Sequence, residues 1–123
     1  MNIQLSLTQQ WFDMTKSGVK TEDYRKITNY WFKRLFGKYV TDAETGLKID
    51  PYNTIAQNSD LIIKMNPPLK FESNTMTLGY PKKTDSSRIL KLEHKGIEIR
   101  TGNPEWGAEK GKLYFVIKHG KAL

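Results

Sequence analysis

The chain has 123 residues, 37% hydrophobic and 11% aromatic, which suits one domain with a single core and is too little for two comfortable ones. It carries a net charge of +7 and no cysteine, which excludes a disulfide framework, a thiolate metal site and a cysteine nucleophile. No apolar run approaches the ~18 residues of a membrane span, and the N-terminus lacks the basic and apolar regions of a signal peptide, so a soluble cytoplasmic protein without a membrane partner is expected.

Ile3 to Leu7 alternates as a strand, with Ile3, Leu5 and Leu7 on one face. Ser6 and Gln9 have the spacing of a capping box. The helix that follows sets Leu7, Trp11 and Met14 at i, i+4 and i+7 and stops at Gly18. That stripe reads as core. Lys20 then opens an extended run with Glu22, Asp23, Arg25 and Lys26, almost without an apolar residue until Tyr24 and Ile27. A half-buried strand normally alternates. So many charges in one short element read either as a polar pocket or as a solvated edge strand guarded against aggregation.

Thr28 is the expected N-cap of a second helix over Asn29–Phe36, closed by Gly37. Trp31 and Leu35 are one turn apart, as are Phe32 and Phe36, and Lys33 and Arg34 suit the negative end of the helix dipole. Residues 41–68 are turn-rich and read as an insertion between core elements, in which Leu61-Ile62-Ile63 fits a short strand or one end of a small helix. Asp42, Glu44, Asp50 and Asp60 face only Lys48 there, so the rest of the chain is more basic than the total suggests.

From residue 69 the pattern is mainly β. Thr75–Tyr80 alternates, a polar loop covers Pro81–Ser87, and a strand follows over Arg88–Arg100. Its apolar parity switches at Lys95-Gly96, where a β-bulge would re-aim the strand. Leu113–Lys118 is apolar on both parities, as in a strand buried on both sides. Short strands, a bulge and flanking helices predict an α+β fold built on a small, partly open β-barrel.

The chemistry is sparse. There is no phosphate-cradling glycine loop, no GxSxG, and His94 and His119 stand alone without metal-ligand spacing. No metal and no cofactor are expected. Lys20, Asp23 and Arg25 form the one candidate cluster, either an anion or proton-transfer site or a structural ion pair. In Gly102–Gly107, glycine and proline shape a tight loop around Trp106, a ring that either stacks on a base or plugs a barrel end. The basic excess favours an anionic partner, nucleic acid first.

At these residues the chain resembles the ASCH domain, a branch of the PUA-like superfamily. Gly18, Lys20 and Arg25 meet the family's Gly-x-Lys motif with its arginine five residues on. Trp11-Phe12-Asp13-Met14, Ser17-Gly18-Val19-Lys20, Tyr24-Arg25, Tyr30-Trp31, Gly79-Tyr80, Lys95-Gly96-Ile97 and Gly102–Gly107 resemble those of ASCH proteins encoded by bacteriophages and mobile elements. The resemblance covers most of 3–40 and 69–123. It implies a single PUA-like barrel over 1–123 whose basic cleft binds RNA or a modified nucleotide. Lys20 and Arg25 would line that cleft, with Tyr24, Tyr80, Lys82, Arg88 and Trp106 as further contacts. Some members are amidohydrolases acting on an acetylated nucleoside through the motif lysine, a threonine three residues later and a distant glutamate. Lys20 matches the lysine, Asp23 stands at the threonine position, and Glu72, Glu93 and Glu98 are the candidate glutamates. A phage protein whose basic face engages a host protein is the third expectation.

Overall fold

A computed structural model describes residues 1–123. The chain forms β1 (Asn2–Leu7), α1 (Gln9–Lys16), β2 (Glu22–Lys26), α2 (Asn29–Phe36), α3 (Tyr52–Gln57), α4 (Ser59–Met65), β3 (Ser73–Leu78), β4 (Ile89–Thr101) and β5 (Leu113–Ala122). The architecture is α+β, with a five-stranded sheet of order β1-β3-β4-β5-β2. The chain divides into two compact units, one of residues 1–23, 70–96 and 117–123, the other of 24–69 and 97–116. No helix is long and apolar enough to cross a membrane.

In the first unit, β1 turns Ile3, Leu5 and Leu7 inward, as its alternation predicts. It runs parallel to β3 from Asn2 opposite Ser73 to Leu7 opposite Leu78, and β3 pairs antiparallel with β4. The expected capping box does not form. Thr8 is the N-cap of α1, without a side-chain cap bond. Ser6 instead donates from Oγ to the Gly79 carbonyl at 3.2 Å, and Gln9 donates to Asp13 at 2.9 Å. Pairing with β3 extends through Leu7, so Ser6 and Leu7 belong to the strand before a helix can start. With Leu7 spent there, α1 buries Phe12 and Thr15, while Trp11 and Met14 are only half-buried. In β4, Gly96 adopts φ +117°, a setting strained for any side chain. The buried position moves there from even-numbered Leu92 to odd-numbered Ile97, where the sequence placed its parity switch.

The second unit contains α2 over the predicted residues. Thr28 Oγ1 accepts from the Trp31 N–H at 3.3 Å, and Gly37, at φ +83°, closes the helix through a bond to the Lys33 carbonyl. Phe32 and Phe36 stack at 4.6 Å, and Phe36 lies 5.5 Å from Phe115. Each such buried ring contributes roughly 1.5–3 kcal/mol. Residues 41–48 form a turn capped by Asp42, whose carboxylate accepts from the Glu44 and Thr45 N–H groups. Asn29 anchors this segment by accepting from the Val40 N–H at 2.7 Å. Leu61-Ile62-Ile63 lies in α4, so the helical alternative holds, and α3 buries Ile55 completely. In β5, Tyr114, Phe115, Val116 and Ile117 are buried in succession, as the unbroken apolar run predicts.

Candidate ligand cavity and basic aromatic surfaces

The chain leaves α1 through a turn in which the Lys20 N–H donates to the Met14 carbonyl at 3.0 Å and Gly18 takes φ +84°. That turn carries Lys20 inward. Its Nζ donates to the Glu22 carbonyl and lies 3.7 Å from Asp23 Oδ1, with the two side chains only 3% and 4% exposed. The charges in this segment therefore include an interior ion pair. Taking either charge from water alone costs several kcal/mol, which the partner offsets.

Lys20 lines a cavity of about 210 Å³ together with Thr21, Lys16 at the end of α1, and His119 and Lys121 on β5. His119 is 9% exposed, and its ring is held by a short polar network. Asn74, fully buried on β3, donates from Nδ2 to the Lys118 carbonyl at 3.2 Å and meets His119 Nδ1 at 2.7 Å. Its Oδ1 meets His94 Nδ1 at 2.7 Å. A carbonyl accepts only, so the Lys118 oxygen fixes which end of the Asn74 amide is the NH₂. Assigned from that network, His119 Nδ1 is an acceptor and the ring proton sits on Nε2, while His94 donates from Nδ1. Burial lowers the His119 pKa to about 4; Asp23 and Glu22 oppose the shift, and Lys20 and His94 reinforce it. His94 is lowered in the same direction by burial. His119 is thus a neutral ring at pH 7. Its Nε2 is buried without a hydrogen-bond partner, which costs about 1–3 kcal/mol for a lost donor.

Three other predicted contacts lie on one loop of the same unit. Tyr80 is 92% exposed at its start, and exposed Lys82 and Arg88 follow. Arg88 donates to the Leu78 carbonyl at 2.9 Å, which folds the loop back on the end of β3. The loop offers a free aromatic face flanked by cations.

The second unit holds the remaining predicted residues. The guanidinium of Arg25 lies 4.8 Å from the Trp31 ring centre and that of Arg34 4.6 Å from it, with exposed Tyr30 edge-on to Trp31. Tyr24 packs on Tyr114, and its hydroxyl accepts from the Asn103 N–H at 2.9 Å. Gly102 sits so close to Tyr24 and Ala108 that a Cβ there would fall within 2.8 Å of both side chains. Trp106 is half-buried on a 3-10 turn that Asn103 caps. Two larger hollows here, of about 440 and 470 Å³, carry charges of both signs, with Asp60, Glu98 and Arg100 in one and Lys26, Asp50 and Lys112 in the other.

The predicted set is therefore divided: Lys20, Asp23, Tyr80, Lys82 and Arg88 belong to the first unit, Tyr24, Arg25 and Trp106 to the second. Of the three candidate glutamates, Glu72 pairs with the N-terminal ammonium, Glu93 accepts from the Lys121 N–H, and Glu98 pairs with Arg100. Sequence reasoning passed over His119, His94 and Asn74. One signal was available: His119 follows Phe115 and Ile117 at the same parity, so an imidazole occupies a core position of β5. No protein-family model, curated protein or solved structure matches the chain.

Proposed function

We propose that the protein is a nucleic-acid-binding module with a PUA-like barrel of the ASCH type, engaging single-stranded RNA or a modified nucleotide. One observation carries the reading: Tyr80, 92% exposed, stands in a loop whose neighbours Lys82 and Arg88 are exposed cations. A large ring left in water is costly to solubility unless a partner covers it, and a base stacked on such a ring gains about 1–3 kcal/mol. Lys82 and Arg88 supply the phosphate contacts, with Arg25 and Lys20 as further basic groups. The excess of basic over acidic residues adds long-range attraction for a polyanion.

Binding is favoured over hydrolysis by the state of Lys20. Its ammonium already donates to the Glu22 carbonyl and pairs with Asp23, and Asp23 stands where the ASCH hydrolases carry a threonine. The reading is tested by fluorescence anisotropy with a labelled single-stranded oligoribonucleotide at two salt concentrations. Affinity falls with salt and drops about tenfold in Tyr80→Ala. An affinity indifferent to salt, or unchanged by Tyr80→Ala, overturns it.

A further inference from the structure

His119 presents a chemical problem that the RNA reading leaves unsolved. Its Nδ1 is engaged by Asn74, its Nε2 has no partner, and it lines an enclosed cavity of about 210 Å³. The charged side chains lining that cavity are Lys16, Lys20 and Lys121, all cationic. Lys20 is balanced by Asp23. Lys16 and Lys121 are exposed, so their charge is available at the cavity from α1 and β5 respectively.

We infer that this cavity is a phosphate-binding site, in which the His119 Nε2–H is a fixed donor to a phosphate oxygen and Lys16 and Lys121 balance the charge. The chemistry selects the ligand in three ways. A neutral N–H set by a buried amide donates and cannot accept, so the ligand must offer an acceptor. Ammonium groups reaching the cavity from two elements suit a doubly charged group with oxygens in several directions better than a planar carboxylate. The volume is below the roughly 300–1,000 Å³ of sites that enclose a drug-sized ligand, so a phosphate group enters and the remainder of its molecule stays outside. Free phosphate and the terminal phosphate of an RNA end present the same oxygens. The inference shares Lys20 with the RNA reading and does not depend on it.

The test follows the His119 ring by ¹H–¹⁵N NMR in the unmodified protein. The free protein shows the Nε2–H tautomer, and inorganic phosphate shifts the Nε2–H signal saturably. Comparison of 5′-phosphorylated and 5′-hydroxyl oligoribonucleotides of one sequence then separates the sources. A shift with the phosphorylated oligomer alone among the two assigns the site to an RNA end; a shift with inorganic phosphate and neither oligomer assigns it to a small phosphate, and both support a phosphate site. His119→Phe keeps a ring and removes the donor, and weakens phosphate binding by about tenfold or more. Lys121→Ala, at an exposed position, gives a parallel loss that does not depend on the core tolerating a phenyl ring. The inference is overturned if the free ring is the Nδ1–H tautomer, or if its signal is unmoved by inorganic phosphate and by both oligomers. In the last case, RNA binding that still depends on Tyr80 leaves the RNA reading standing alone.

Discussion

Replacing Asn74 by leucine tests the polar network at the centre of the first unit. The change conserves volume while removing the amide that donates to the Lys118 carbonyl and His119 Nδ1 and accepts from His94. The three losses are unequal. His119 Nδ1 is buried and becomes an unsatisfied acceptor, at about 1–3 kcal/mol. The Lys118 carbonyl keeps its second lone pair for other donors, and half-buried His94 can turn to water, so each adds about 0.5–1 kcal/mol. Leucine regains part of this as apolar contact, leaving an expected loss of roughly 2–4 kcal/mol. Urea unfolding followed by tryptophan fluorescence measures it as a lower midpoint at unchanged slope. A double-mutant cycle with His119→Leu should show coupling of about 1 kcal/mol or more. A midpoint within about 0.5 kcal/mol of the parent, or additive single losses, would refute the network as a structural element and with it the fixed tautomer of His119.

Lys20→Met leaves Asp23 buried without its cation and should lower stability by about 3–5 kcal/mol, with part of the loss recovered in Lys20→Met/Asp23→Leu; thermal or urea unfolding measures both. Gly37→Ala forces a side chain into φ +83° with its Cβ 3.2 Å from Leu69, and should cost about 1–2 kcal/mol in the same assay. Because burial lowers the His119 pKa from 6.5 to about 4, the unfolded chain takes up its proton more readily than the folded one. The stability from this group is complete above about pH 6.5 and is lost as pH falls towards 4, so the unfolding midpoint should decline across that window less steeply in His119→Gln than in the parent.

Those parts of the fold decided by local chemistry were legible in the sequence. Helix α2 is bounded by a side-chain cap at Thr28 and a left-handed glycine at Gly37, both readable one residue at a time. The switch at Gly96 and the doubly buried β5 follow from apolar parity. Elements decided by strand pairing were not. The start of α1 moved because β3 holds Ser6 and Leu7 in the sheet, a partner about seventy residues away that no local pattern reveals. The two short helices of residues 52–65 lack side-chain caps and a strong apolar stripe, so their turn-rich composition gave them no helical signature. At the candidate site, the charge density around Lys20 was visible, and so was the exposed aromatic at Tyr80. The His94–Asn74–His119 network was not, because it joins three strands whose order is set by tertiary packing.

The buried amide of Asn74 also bears on how the sheet finds its alignment. Apolar neighbours alone tolerate slippage by two residues, since the same face stays inward and one aliphatic side chain replaces another. Sliding β3 that far would withdraw the amide from both imidazoles and offer them Met76 or Glu72, neither of which can donate to one ring and accept from the other. Misaligned sheets are therefore penalised by unmet polar groups as well as by poorer packing, and the interior polarity that weakens the core selects a single threading of the chain.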